Sequence, residues 1–178
     1  LITGIGQGFM TASPLQLAVT TAAIANKGKL LKPQVLKYTQ TKNGVTYEHD
    51  KKPTSQIPIK DINNWELIIE GMKQTIYGKL GTGRRLNIDL DYTLAGKTGT
   101  AQVFGLDPEE EYIAENYEEK LRDHALFTAF APIDNPQVAV AIIVENAGSG
   151  SSKAAPIAKS LLDLYFSKNP PILNQVND

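Results

Sequence analysis

Lys97, Thr98, Gly99 and Thr100 place an ammonium, two hydroxyls and a bare stretch of backbone within four consecutive residues, inside TLAGKTGTAQVFG at 93–105. Two chemistries use such a run. Preceded by Gly96, a Gly-Lys-Thr run can close a phosphate cradle, where backbone amides at a helix start wrap an anion. On a strand, Lys-Thr-Gly can instead form one wall of an acyl-transfer site, where amides, hydroxyls and an ammonium stabilise developing negative charge. The flanking residues separate the two. A cradle needs a glycine five residues before Gly96, and Asp91 stands there, a carboxylate that repels phosphate. It also needs a helix to follow, whereas TAQVF continues as β-prone sequence. The other glycine-rich stretches are weaker. Gly4, Gly6 and Gly8 miss the dinucleotide spacing because Phe9 takes the last position, and TGIGQGF reads as a tight turn before a helix. GTGRR, at 81–85, likewise reads as a turn.

The strand reading has geometric consequences. Side chains alternate, so Thr98 and Thr100 share one face and Lys97 takes the other. Gly99 lets a substrate or a neighbouring segment approach the backbone closely. A strand edge offers free amides that can accept an extended peptide as an added strand. Little else in the chain competes for a chemical role. There is no cysteine, which excludes thiol catalysis and disulfides. The two histidines, His49 and His124, are far apart in sequence and read as structural or surface residues. No metal-ligand cluster, cofactor motif or local Ser-His-Asp signature is visible, so no cofactor is expected. Eighteen basic against nineteen acidic residues, without a basic stripe, give little support to a nucleic-acid role.

The elements around the run follow from local signals. With 42% hydrophobic and 21% charged residues in 178, the composition is that of one folded domain with a sizeable core. Ser13 and Pro14 predict a helix over 14–26, stopped by Gly28; small and apolar on most sides, it is expected to be largely buried. Alternating residues around Asn43-Gly44 predict a hairpin. A second helix is predicted from Asn63 or Asn64 to Gly78, with Trp65, Ile68, Ile69, Met72 and Ile76 at helical spacing. GKLGTGRRLNIDLDY reads as a surface loop, followed by a strand over 93–104. The acidic insertion at 107–123 reads as a solvated face, either a short amphipathic helix or a mobile segment. ALFTAFAPI and QVAVAIIVEN are two more strands joined at Asp134-Asn135-Pro136, the second apolar on both faces as a strand covered on both sides would be. AGSGSS reads as a flexible loop, and a last helix over 153–167 is expected to turn Ile157, Leu161, Leu164 and Tyr165 inward. The fold class is α+β, an α/β sandwich with an antiparallel sheet flanked by helices.

Lys-Thr-Gly beside S-x-x-K and S-D-N marks penicillin-binding proteins and class A β-lactamases. The chain resembles the C-terminal part of the transpeptidase domain of class B penicillin-binding proteins, through GIGQGFMTASPLQLA, AGKTGTAQVFGL, LRDHALFTAFAPIDNPQVAVAIIVEN and the helix after AGSGSS. FGL with RDH is most similar to the penicillin-binding protein 2 branch. The resemblance implies a D,D-transpeptidase that cross-links peptidoglycan stem peptides through a serine acyl-enzyme formed from a D-Ala-D-Ala donor, with β-lactams acylating the same serine. It implies that Thr98 and Thr100 bind the carboxylate of substrate or drug. It also implies that Lys97 holds positive potential beneath the site, that the Thr100 amide donates one oxyanion bond, and that Gly99 keeps the strand open. It further implies a membrane glycosyltransferase of the cell-elongation machinery as partner, and a place on the periplasmic face of the bacterial inner membrane through an N-terminal anchor.

The sequence departs from the family pattern in one large respect. No Ser is followed three residues later by Lys, and the one S-x-N, Ser167-Lys168-Asn169, ends the last helix and reads as accidental. Residues 1–178 are therefore expected to form the C-terminal portion of a single transpeptidase domain, cut from a longer polypeptide. Nucleophile, base and any membrane anchor are expected upstream, and the piece alone is expected to be inactive. A sensor module that binds β-lactams or wall fragments and a β-lactamase of the same fold are the alternatives that the Lys-Thr-Gly strand leaves open.

Overall fold

The structure, a computed structural model, describes residues 4, 6–8, 10–48, 53–103, 113 and 116–169. Its helices are α1 (Pro14–Ala25), α2 (Asn63–Tyr77) and α3 (Ala154–Lys168). Its strands are β1 (Lys29–Leu31), β2 (Tyr38–Gln40), β3 (Thr46–Glu48), β4 (Pro53–Gln56), β5 (Ala95–Ala101), β6 (His124–Ala131) and β7 (Val138–Val144). Among the described residues β1 pairs with β4, β2 with β3, and β5, β6 and β7 form a sheet in that order, every pairing antiparallel. The α+β class holds.

The local signals act as expected at several boundaries. Ser13 caps α1 by accepting from the Gln16 amide, and the Gln16 side chain accepts from the Ser13 amide at 2.8 Å, a reciprocal capping box ahead of Pro14. Gly44, at φ +81°, turns the β2–β3 hairpin with Tyr38 opposite Glu48. The α2 helix ends at Gly78, whose amide donates to the Gln74 carbonyl at 2.9 Å.

The three-stranded sheet has a core on each face. Ala125, Phe127 and Ala129 of β6 meet Ala154, Ala155, Ala158, Leu162 and Phe166 of α3 on one side. Phe130 of β6 and Ala95 of β5 meet Ala25 of α1 and Ile69 and Met72 of α2 on the other. Phe127 and Phe130 are wholly buried, each stabilising the fold by roughly 1.5–3 kcal/mol relative to exposure. The β7 strand has α1 and α3 packed against it, in line with its apolar residues on both faces.

Three expectations need correction. The α1 helix is not largely buried: Thr21, Ala23 and Ala25 are, while Leu15 near its start is exposed. The stretch after α2 is more than a surface loop, because a 3-10 turn at Arg84–Asn87 buries Leu86, and Tyr92 is buried behind it. The inward face of α3 is Ala154, Ala155, Ala158, Leu162 and Phe166; Ile157, Leu161 and Leu164 are exposed, and Tyr165 is only partly buried against the core. Alanines let the helix axis come close to the sheet, which bulkier residues at those contacts would prevent. Within the acidic insertion, residues 107–112, 114 and 115 lie outside the described residues; a 3-10 turn occupies Glu119–Leu121.

Candidate active site

The Lys97–Thr100 run lies on β5, at the end of the sheet order, so among the described strands it has one neighbour and one open edge. Lys97 stands opposite Thr128 and Thr98 opposite Phe127, which puts their side chains on opposite faces, as alternation requires. Thr98 therefore lies on the α3 side, where its Oγ1 is 2.7 Å from Thr82 Oγ1. Lys97 lies on the α1–α2 side and is exposed, its Nζ donating to the Thr98 carbonyl at 2.8 Å.

Two cavities meet at Lys97. A cleft of about 570 Å³ runs between the end of α2 and the following loop, walled by Gly71, Gln74, Thr75, Leu80, Thr82 and Lys97 among others. A more apolar hollow of about 480 Å³ lies between α1 and α2, walled by Leu17, Ile24, Ile68, Met72, Thr128 and Lys97 among others. An ammonium at the junction of two openings gives both a positive floor.

The orientation of the backbone along the edge follows from its partners. The Thr100 carbonyl accepts from Gln7 Nε2 at 2.8 Å, and the Thr98 carbonyl accepts from Lys97. Both acceptors are thus engaged by side chains rather than by β6. In an antiparallel pair a residue's amide and carbonyl point the same way, so the amides of Thr98 and Thr100 also face the open edge.

Close packing fixes the strand from behind. A Cβ on Gly96 would come within 2.6 Å of Phe127 Cζ. A Cβ on Gly150 would overlap the backbone oxygens of Leu126 and Gly99, so the stretch expected to be a flexible loop is packed against the sheet at Gly150. At the far end of β5, Asp123 is buried and accepts a hydrogen bond from the Val103 amide. Burial pushes its carboxyl above the ordinary range; the Val103 bond and nearby His124 oppose this. His124 Nδ1 accepts from the Asn146 amide at 2.9 Å, and Asn146 Nδ2 donates to the carbonyls of Lys120 and Arg122. His124 thus fastens the entry to β6, as its structural reading held, and His49 lies outside the described residues. Tyr92 donates to Asp163 Oδ1 at 2.8 Å, and burial with that bond drives its hydroxyl pKa well up.

The run thus comes together as one edge. The S-x-N at 167–169 is tied to the last turn of α3, Ser167 donating to the Leu164 carbonyl and Asn169 to the Tyr165 carbonyl. Sequence reasoning missed Gln7 and Thr82 as neighbours of the run. Gln7 sits in the GIGQGF stretch that carries part of the resemblance; Thr82 had no signal beyond two flanking glycines. Among the described residues no group of His, Cys, Asp or Glu could hold a metal ion.

Residues 1–163 match the family model described as penicillin binding protein transpeptidase domain. The chain belongs to the penicillin-binding protein transpeptidase family. It is 41% identical over 179 residues to a peptidoglycan D,D-transpeptidase MrdA of Haemophilus influenzae, covering 98% of this chain and 27% of that protein. Against the MrdA of Escherichia coli K12 it is 40% identical over 163 residues, covering 90% of this chain and 25% of that protein. Among solved structures of the family, Pseudomonas aeruginosa PBP2 in complex with WCK 5153 aligns with TM-score 0.74 and 39% identity, over 98% of this chain and 35% of that one. Helicobacter pylori PBP2 in complex with MreC aligns with TM-score 0.69 and 30% identity, over 95% of this chain and 28% of that one. The chain therefore spans about a quarter of the length of the curated relatives it matches. Its similarity to PBP2 proteins agrees with the resemblance drawn from FGL and RDH.

Proposed function

We propose that this chain supplies one wall of the acyl-transfer site of a peptidoglycan D,D-transpeptidase and is the C-terminal portion of that enzyme's single transpeptidase domain. The observation that carries the reading is the open β5 edge, where the Thr98 and Thr100 amides face outward beside a cleft floored by Lys97. A donor peptide ending in D-Ala-D-Ala lies along this edge as an added strand. The Thr98 and Thr100 hydroxyls hold its terminal carboxylate, and Lys97 supplies positive potential beneath it. Gly99 has no side chain, and an added Cβ there would press on Leu126 Cβ at 3.2 Å, so the bare residue keeps β5 close to β6 behind the edge.

A serine from the rest of the protein attacks the carbonyl between the two D-alanines. Its proton passes to a base, and the Thr100 amide stabilises the oxyanion that forms. The C–N bond breaks, the terminal D-Ala leaves as an amine with that proton, and the peptide remains as an ester on the serine. An amine of a second stem peptide then attacks the ester, which regenerates the serine and leaves a new amide cross-link. A β-lactam enters the same sequence with its ring amide as the broken bond, and the ester persists. Because these residues hold no S-x-x-K, the nucleophile and the base come from outside the chain. The whole protein acts at the periplasmic face of the inner membrane with a membrane glycosyltransferase as partner, in keeping with the resemblance to PBP2.

Labelling with a fluorescent penicillin tests this. The full-length protein is expected to carry a covalent adduct resistant to denaturation, and the 178-residue chain alone to carry none. An unlabelled full-length protein contradicts the transpeptidase reading, and a labelled 178-residue chain contradicts the assignment of the nucleophile to the rest of the protein.

A further inference from the structure

Thr82 lies outside the Lys-Thr-Gly run, yet its hydroxyl is the one that meets Thr98. The loop that carries it has little freedom. The Gly81 amide donates to the Gly78 carbonyl and the Gly83 amide to the Thr75 carbonyl, each at 2.9 Å. A Cβ on Gly81 would come within 2.6 Å of the Gln74 carbonyl oxygen, and one on Gly83 within 2.9 Å of Ile76 Cδ1. The loop is thus pressed onto the last turn of α2, and Thr82 carries the one side chain between these two glycines, directed at the strand. Thr82 and Lys97 line the same cleft.

A hydroxyl has one proton and two lone pairs, and a carboxylate can only accept. Of two hydroxyls 2.7 Å apart, one must donate to the other. If Thr98 donated to Thr82, its lone pairs would face an incoming carboxylate and repel it. If Thr82 donates to Thr98, the Thr98 proton is free for the carboxylate, and the two bonds polarise each other in one direction. We infer that Thr82 is a positioning residue that aims the Thr98 proton at the substrate carboxylate, so that the site discriminates for ligands carrying that charge. This rests on the reading of the β5 edge as the carboxylate wall.

The test compares two ligands in the full-length protein: a penicillin with a dye on its acyl side chain, and the methyl ester of the same compound. Acylation rates are measured for the wild type, Thr82→Ser, Thr82→Val and Thr82→Ala, with thermal unfolding alongside. Removing the hydroxyl in Thr82→Val and Thr82→Ala is expected to slow the free acid about ten-fold, the cost of one hydrogen bond to a charged chain, and to leave the ester rate within about two-fold. Thr82→Ser is expected to restore the acid-to-ester ratio. Equal slowing of both ligands, no slowing of the acid, or loss of the fold in both hydroxyl-free variants makes Thr82 structural and overturns the inference. In those cases a wild type that still takes the label leaves the transpeptidase reading standing. A wild type acylated by neither ligand removes that reading, and this inference falls with it.

Discussion

The two faces of β5 are built differently. On the Thr98 side β5 runs beside the wholly buried Phe127 ring of β6, and α3 packs over β6 and β7. Gly96 leaves room for that ring, and Gly150 lies against the backbone at Gly99. On the Lys97 side α2 packs against β5 and Ala95 joins a closed core with Phe130, Ile69 and Met72, and beyond it two hollows of about 570 and 480 Å³ open at the lysine. One face carries the glycine contacts that hold β5 close to its neighbours, and the other opens at the lysine. Under the proposed function, the group to be aimed, the Thr98 hydroxyl, stands on the first face, and the group that supplies a field, Lys97, stands on the second. Aim demands fixed neighbours, whereas a charge acts over several ångströms and tolerates looser surroundings.

Substitutions on the two faces test the contrast. Phe127→Ala is expected to lower the stability of the full-length protein by about 3–5 kcal/mol in urea unfolding, since the ring fills space that α3 and β6 cannot collapse into. Ile68→Ala, which trims a wall of the open hollow at a residue 42% exposed, is expected to lower it by less than about 1 kcal/mol. Equal losses would mean that the hollow is filled as tightly as the backed face in the whole protein, and the contrast would dissolve.

A smaller effect concerns Asp123, beside the end of β5. Its carboxyl is held above the ordinary value by burial, so the folded state keeps a proton that the unfolded state has already released. Stability therefore falls as pH rises from the ordinary carboxyl range, about 4, through the higher folded value, and the cost is fully present above that. Asp123→Asn cannot ionise and its side-chain oxygen can still accept from Val103. The variant is expected to gain on the wild type as pH rises across this window in urea unfolding. A difference independent of pH would contradict the assignment.

These contrasts also show which features were legible in the sequence. Short-range chemistry was: Ser13 and Pro14 start α1, Asn43-Gly44 turns the hairpin, and alternation along Lys97–Thr100 puts ammonium and hydroxyl on opposite faces. The α3 helix shows where such reading stops. Its sequence offers two apolar stripes, Ile157, Leu161 and Leu164 beside Ala158, Leu162 and Phe166, and hydrophobicity alone favours the bulkier one. Packing against the sheet favours the stripe with alanines, because closeness yields more contact than side-chain size. The glycines at 81, 83 and 150 raise the same difficulty: each reads as a loop residue, and each is small because another backbone or a buried side chain passes close by. Gln7 and Thr82 reach the strand across 93 and 16 residues of sequence, and no local pattern encodes such a meeting.

A crystal structure of the full-length protein acylated by a penicillin tests the central claim most directly. The drug's carboxylate is expected within hydrogen-bond distance of the Thr98 and Thr100 hydroxyls, its ester carbonyl oxygen at the Thr100 amide, and its serine from outside these 178 residues. A carboxylate bound away from β5, with the strand edge vacant or covered by protein, would contradict the account.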